Sequence, residues 1–314
     1  MNKIYGMNLD ALRLCYEVKE PTIIDFLAGM QPEETAEFYD FYLRRIEGKH
    51  FENVYQIRYD ELGEDHLFGE LKFGIKSSDE TANSHENGNR KAWISIDNRI
   101  LYSDEIHYLE YFTSCLHLEF HNITAMDIAL DMSMNIARVI KRLIRNPNIT
   151  TILNGKRITD RKQDRPEIIY TMTGNMDRDK YLTVNIKQKK AIKDKSKGIT
   201  LIAYDKQGEI ANGSGKEYIA DFYGNPKKIY RLEVHLNNEE LKDYVKQARE
   251  DTYLEDLIFN ERSQWSLFCY ALRSLIRFQI DGKPLSWDDV LEGVITTLPA
   301  KRGRQEPIPL KQAC

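Results

Sequence analysis

The sequence predicts an α+β protein: a central, largely antiparallel β-sheet with flanking helices and a helical C-terminal section. Three observations carry this. Up to about residue 238, short apolar runs with period-2 alternation recur between turn residues. One pair of runs flanks Asn154-Gly155, a strong short-range hairpin signal. Beyond residue 238 the apolar spacing changes to that of amphipathic helices. The expected organisation is a sheet domain over residues 1–240 and a helical section over 241–314. The tail from about residue 300, with its prolines and cations, is expected to be mobile.

In order along the chain, residues 8–18 (NLDALRLCYEV) predict an opening strand. Pro21 starts a short helix that Gly29 ends. Residues 31–47 predict a second helix, with Pro32 early, acids in its first turn and Gly48 just past its end. Segments 52–60, 67–75 and 91–97 predict antiparallel strands, and the Asn-rich stretch 77–90 predicts a long exposed loop. Leu116 to His121 alternates and predicts a strand with His117, Glu119 and His121 on one face. TAMDIALDMSMN (124–135) predicts another, with Ile128 and Leu130 on one side and Asp127, Ala129 and Asp131 on the other.

Residues 133–145 predict a helix with apolar Ile136, Val139, Ile140, Leu143 and Ile144. Strands follow on both sides of Asn154-Gly155, at 168–172 and at 181–187, and the last feeds a basic run from Lys187 to Lys197. Gly198 to Glu209 predicts a short apolar strand carrying Tyr204, with Ile202 and Lys206 on the same side. A strand from Ile229 to Leu236 then places Arg231, Glu233 and His235 opposite an apolar face. Helices are predicted over 239–249, 252–259 and 263–280, and Ser286-Trp-Asp-Asp predicts the capped start of a last one.

Composition bounds the function. The chain has 314 residues, 41% apolar and 30% charged, enough for a large core and ordinary for a globular protein. No run approaches the roughly 18 apolar residues of a membrane helix, and the N-terminus lacks the apolar core of a signal peptide. Cys15, Cys115, Cys269 and Cys314 are scattered, with no CxxC pair, which argues for reduced thiols in a cytoplasmic protein and against a zinc knuckle.

The net charge of −4 conceals an asymmetry. Residues 138–197 hold 17 Lys plus Arg against 6 Asp plus Glu, a local +11, while the remainder carries −15. Such a surplus reads either as a phosphate-binding surface or as a solvated basic face. Arg138, Lys141, Arg142, Lys187, Lys189 and Lys190 are the candidate DNA-binding cations.

The candidate chemistry lies on three strands. Tyr204 is a candidate nucleophile, and a phenol with a pKa near 10 needs a base, cation or metal to favour phenolate. Lys206 is the nearest candidate cation and Arg231 a third catalytic candidate. Asp127, Asp131 and Glu233 are candidate ligands for Mg²⁺ or Mn²⁺, which prefer hard carboxylate oxygens. Two aspartates four residues apart in a regular strand lie about 13 Å apart, so one of them with Glu233 makes the easier site. His235 or His121 could add a nitrogen ligand, although the residues alone favour a surface or structural role for each.

The ordered set ITAMDIALD (123–131), YLTVNIKQ (181–188), LIAYDKQGE (201–209) and YRLEVHL (230–236) resembles the replication initiators of rolling-circle plasmids, the Rep-trans group. Asp127 and Asp131, then Tyr204-Asp205-Lys206, then Arg231 and Glu233 occupy the places of that family's motifs. The family usually has Arg before the first Asp, where this chain has Thr124-Ala-Met-Asp127. A His-hydrophobic-His motif is absent, since three residues separate His117 from His121.

The resemblance implies a site-specific DNA nicking and joining enzyme in which Tyr204 forms a covalent 5′-phosphotyrosine with a divalent metal. It further implies origin DNA, single-stranded or extruded at the nick site, as substrate. A homodimer, and a host helicase and polymerase as partners, are implied by the same family. The alternatives are a metal-dependent hydrolytic nuclease using water and a non-catalytic DNA-binding regulator.

Overall fold

The computed structural model describes residues 3–61, 64–76, 91–158, 170–175, 180–194, 197–248 and 252–291. The 77–90 loop, the tail from residue 300 and part of the basic stretch lie outside these. The chain is α+β, and its main sheet is antiparallel in every pairing described below. It divides into two compact units, one of Met1–Asn8 with Asp127–Cys314 and one of Leu9–Met126. This division is drawn at other positions than the sheet-to-helix boundary expected at residue 240. The C-terminal helices belong to the same unit as the Tyr204 strand, because they cover the apolar side of that strand and its neighbour.

In the Leu9–Met126 unit the strands run in the order β7-β1-β6-β5-β4-β3-β2. These are β1 (Ile4–Val18), β2 (Thr35–Phe38), β3 (Phe41–Ile46), β4 (Phe51–Glu61), β5 (Glu64–Ile75), β6 (Lys91–Ile96) and β7 (Leu118–Met132). The first and last are long strands divided between the two units, β1 after Asn8 and β7 after Met126. Registers such as Leu14↔Ile94, Leu71↔Ile94, Tyr55↔Leu71 and Leu43↔Ile57 stack apolar residues across one face. Helices α1 (Pro21–Gly29) and α2 (Tyr108–Cys115) contribute the buried Leu27 and Phe112. Phe112 meets Phe41 edge-on, with ring centroids 4.9 Å apart.

The helix expected over 31–47 is instead the β2–β3 hairpin. Its residues alternate, with Ala36, Phe41 and Leu43 buried and Thr35, Glu37 and Arg44 exposed, a period of 2 that outweighs the acids and Gly48 read as helix ends. Tyr39 turns the chain with φ of 56°.

The unit containing Asp127–Cys314 carries the strand order β10-β11-β12-β13-β7-β1. Here β10 is Tyr170–Asn175, β11 Lys180–Lys187, β12 Thr200–Asp205 and β13 Tyr230–Asn237. Its second sheet, in the order β15-β14-β8-β9, joins β8 (Ile149–Leu153), β9 (Lys156–Arg157), β14 (Ile276–Ile280) and β15 (Lys283–Leu285). The β8–β9 hairpin turns at Asn154-Gly155 with φ of 49° and 76°, the two positive values that this dipeptide tolerates.

Eight helices complete the described part of this unit: α3 (Ile136–Arg145), α4 (Lys189–Lys193), α5 (Lys206–Ala211), α6 (Glu217–Phe222), α7 (Asn238–Gln247), α8 (Asp256–Phe259), α9 (Glu261–Leu275) and α10 (Trp287–Leu291). Helices α3 and α9 both contact β12 and β13. The helix expected to reach residue 280 stops at Leu275, where IRFQI alternates and pairs with β8. Ser286 caps α10 as expected, accepting from the Asp289 N–H at 3.0 Å while Asp289 reaches back to Ser286. Among the described residues no helix is long and apolar enough to cross a membrane.

Candidate active site

Strands β12 and β13 pair antiparallel with Tyr204 opposite Arg231, Ile202 opposite Glu233 and Thr200 opposite His235. Side chains alternate across a sheet, so these six share one face. On the other face Leu201, Ala203, Leu232 and Val234 are fully buried. That burial fixes the register, because a one-residue slip would expose all four and bury the polar set.

Tyr204 lies diagonal to Glu233, and its hydroxyl donates to Glu233 Oε2 at 3.1 Å. The strand ends one residue later. Asp205 caps α5 by accepting from the Gly208 N–H at 2.8 Å, so Lys206 opens a helix instead of continuing the strand. Its ammonium nevertheless sits 5.8 Å from the centre of the Tyr204 ring, within cation–π range. Lys206 is buried and ion-paired with Glu209 at 2.7 Å. Tyr204 thus has a carboxylate at its hydroxyl and a desolvated cation near its ring.

The two aspartates of β7 take separate partners. Asp131 and Arg231 are both completely buried, joined by two hydrogen bonds of 2.8 and 2.7 Å from Arg231 Nε and Nη2. Asp131 Oδ2 also accepts from the Tyr223 hydroxyl at 3.1 Å, and Asn8 Nδ2 donates to that hydroxyl at 2.6 Å. Burial and the neighbouring Asp131 charge push the Tyr223 phenol well above its ordinary pKa of 10.0. Asp127 instead contacts His235 Nδ1, with both side chains partly exposed.

The pairing Asp131–Arg231 and Asp127–His235 has equal spacing run in opposite directions, as antiparallel neighbours require. It brings Ala129 to the level of Glu233. The Glu233 carboxylate is 4.0 Å from Arg231 Nη1.

This geometry revises two expectations. Asp131, read as a metal ligand, has both oxygens engaged by Arg231 and Tyr223 and no exposure. Arg231, read as a catalytic cation, is spent on Asp131, leaving one nitrogen toward Glu233. For a divalent cation the chemically suitable donors are the carboxylates of Asp127 and Glu233, which are hard and partly accessible. No three His, Cys, Asp or Glu side chains among the described residues are already gathered as a ligand set. Asn8, Tyr223 and Glu209 were not singled out by the sequence reading. Asn8 and Tyr223 are partners 215 residues apart, and Glu209 pairs with Lys206 three residues earlier, within LIAYDKQGE itself.

The candidate DNA-binding cations separate. Arg138 and Arg142 are exposed on α3, with Arg145 continuing their i, i+4, i+7 stripe, whereas Lys141 is buried on the opposite side. Lys187 is half-buried, and the side chain of Lys189 lies outside the described residues. Lys190 is ion-paired with the buried Glu240, which raises its pKa through that hydrogen bond.

Fold and site together define an α+β sheet protein with a carboxylate-bound tyrosine on its polar sheet face. No protein-family model and no curated protein matches the chain. Among solved structures, it is similar to a rolling circle replication initiator protein from Geobacillus stearothermophilus, at 12% identity and a TM-score of 0.43, covering 94% of this chain and 97% of that one. A likeness this loose speaks to neither the activity nor the site residues.

Proposed function

We propose that this protein is a site-specific DNA nicking and joining enzyme that initiates rolling-circle replication through a covalent tyrosine intermediate. One observation carries the reading: the Tyr204 hydroxyl donates to Glu233 on a sheet face that also presents Asp127 and His235. The Rep-trans motif order is the second support.

Tyr204 Oη attacks a DNA phosphorus, and Glu233 accepts the phenol proton as the new O–P bond forms. The P–O3′ bond breaks, and the leaving oxygen takes a proton to become a 3′-OH that a polymerase extends. A 5′-phosphotyrosine remains, and attack by a 3′-OH reverses the step and rejoins the strand. Lys206 favours phenolate character through its charge. A divalent cation, Mg²⁺ or Mn²⁺, held by Asp127 and Glu233 would polarise the scissile phosphate. Arg231, itself fixed by Asp131, orients the Glu233 carboxylate from 4.0 Å away. The exposed arginines of α3 bind backbone phosphates.

The test incubates the protein with Mg²⁺ or Mn²⁺ and single-stranded oligonucleotides from the replicon that encodes it, followed by denaturing electrophoresis. The expected result is a denaturant-resistant protein–DNA adduct that Tyr204→Phe abolishes. Cleavage without an adduct would assign water as nucleophile, and tight binding without cleavage would assign a regulator. An adduct that survives Tyr204→Phe and maps to Tyr170 or Tyr181 would overturn the choice of residue.

A further inference from the structure

The Leu9–Met126 unit has a feature that the nicking reading does not use. Strand β2 ends its strand order, and among the described residues no strand lies beyond it. Beside that edge, α1 and β2 enclose a groove of about 790 Å³ lined by Ile23, Phe26, Met30, Ala36 and Phe38. Phe26 is 59% exposed, an unusual position for a large apolar side chain, and it meets Phe38 at 6.4 Å between ring centroids. At the tip of the hairpin Tyr39 is 76% exposed and holds a positive φ that a glycine would adopt more easily.

The backbone of β2 is set up to accept another strand. Phe38 and Phe41 flank a two-residue turn, so they form a hydrogen-bonded pair, and Ala36 with Leu43 forms the next. Thr35 and Glu37, which alternate with them, direct their N–H and C=O groups to the outer edge. Charge selects the occupant. From Glu20 to Asp40 the chain has six acidic residues and no Lys, Arg or His. Glu33 is ion-paired with Arg44 and Glu34 accepts from the Gln31 N–H, whereas Glu37 stands exposed on the edge strand beside the groove.

We propose that the β2 edge docks an extended, cationic segment of a partner protein, which adds a strand to the sheet and seats an apolar side chain in the groove against Phe26. This is strand addition, in which backbone bonds supply affinity and a side-chain pocket supplies selectivity. Nucleic acid is disfavoured because the charged residues lining the groove, Glu34 and Glu37, are both acidic and repel phosphate. A second copy docking edge to edge would set Glu37 against the same acidic edge, so like charges oppose that pairing.

The test uses the full-length protein and a fluorescent ten-residue peptide alternating leucine with lysine, read by anisotropy at physiological salt. Controls are the same peptide with glutamate in place of lysine, and one with alternate amides N-methylated to remove donors along one edge. Binding is expected for the lysine peptide alone, and Glu37→Lys and Phe26→Ala should each weaken it about tenfold. Both positions are exposed, so the fold should survive, and circular dichroism checks that it does. Equal affinity for the N-methylated or glutamate peptide, unchanged affinity in both variants, or no binding at all would overturn the proposal. A dimer of the wild type that Glu37→Lys alters would assign the edge to a second copy instead.

Discussion

Arg231–Asp131 and His235–Asp127 lie four residues apart on the same two strands, yet their surroundings are opposite. The first pair is completely buried, doubly hydrogen-bonded and backed by Tyr223 and Asn8. The second is partly exposed, with 32% of the His235 side chain and 20% of Asp127 accessible. Glu233, between them at 13% exposure, takes Tyr204 as its partner. One end is closed off from solvent and the other is partly open to it. Residue type alone does not distinguish the two aspartates; what differs is whether an arginine and a phenol close over them.

The largest expected effect comes from breaking the closed end. Arg231→Met leaves the Asp131 carboxylate buried without its cation, and removing one partner of a buried pair costs about 3–5 kcal/mol. Urea unfolding measures this. The double variant with Asp131→Asn should recover part of the loss, since it removes the uncompensated charge. A loss under about 1 kcal/mol would show that the pair does not anchor β7 to β13.

Tyr223→Phe is expected to be milder, about 1–2 kcal/mol, because it removes the hydroxyl that donates to Asp131 and accepts from Asn8. It also has a pH signature. The Tyr223 pKa is raised in the folded state, so its contribution is fully present below the unfolded value of 10.0 and is lost as pH rises beyond it. Wild-type stability should therefore fall above about pH 10 more steeply than that of Tyr223→Phe. Parallel slopes would place the phenol outside the buried network.

At the open end, Asp127→Asn should change stability by less than about 1 kcal/mol, as exposed ion pairs contribute little. It should nevertheless lower the yield of covalent adduct in Mg²⁺ or Mn²⁺. A stability loss matching that of Arg231→Met would erase the contrast between the two ends.

Much of this site was legible in the sequence because strand alternation is a local property. The faces of DIALD, LIAYD and YRLEVH were assigned as the structure has them, and the α+β class followed from the same period. The division of labour between Asp127 and Asp131 was not legible, since it depends on Tyr223, 92 residues from Asp131, and on Asn8, which bonds to Tyr223 from 215 residues away. Lys206 leaves the strand because the Asp205 side chain caps α5, a role that the Tyr-Asp-Lys sequence does not disclose. Residues 31–47 were misread because acids and a following glycine suit helix ends, while the alternation of Phe41 and Leu43 against a neighbouring strand is stronger than those end signals.

A related contrast, between a cation held by a buried carboxylate and cations exposed along a helix face, sorts the candidate DNA-binding residues. Arg138, Arg142 and Arg145 form the exposed stripe of α3, opposite its buried Ile136, Val139, Ile140 and Leu143. Replacing all three arginines with alanine removes charge from a solvated face, where single substitutions usually stay within about 0.5 kcal/mol. If each arginine neutralises one phosphate, the slope of log affinity against log salt for single-stranded DNA should flatten by about 2. Lys190→Ala should do the reverse. Its ammonium compensates the buried Glu240, so the variant should lose stability while the salt slope changes by less than about one phosphate's worth. Equal slopes for the triple variant and the wild type would move the phosphate-binding surface off α3, and an unaltered fold in Lys190→Ala would mean that Glu240 finds its compensation elsewhere.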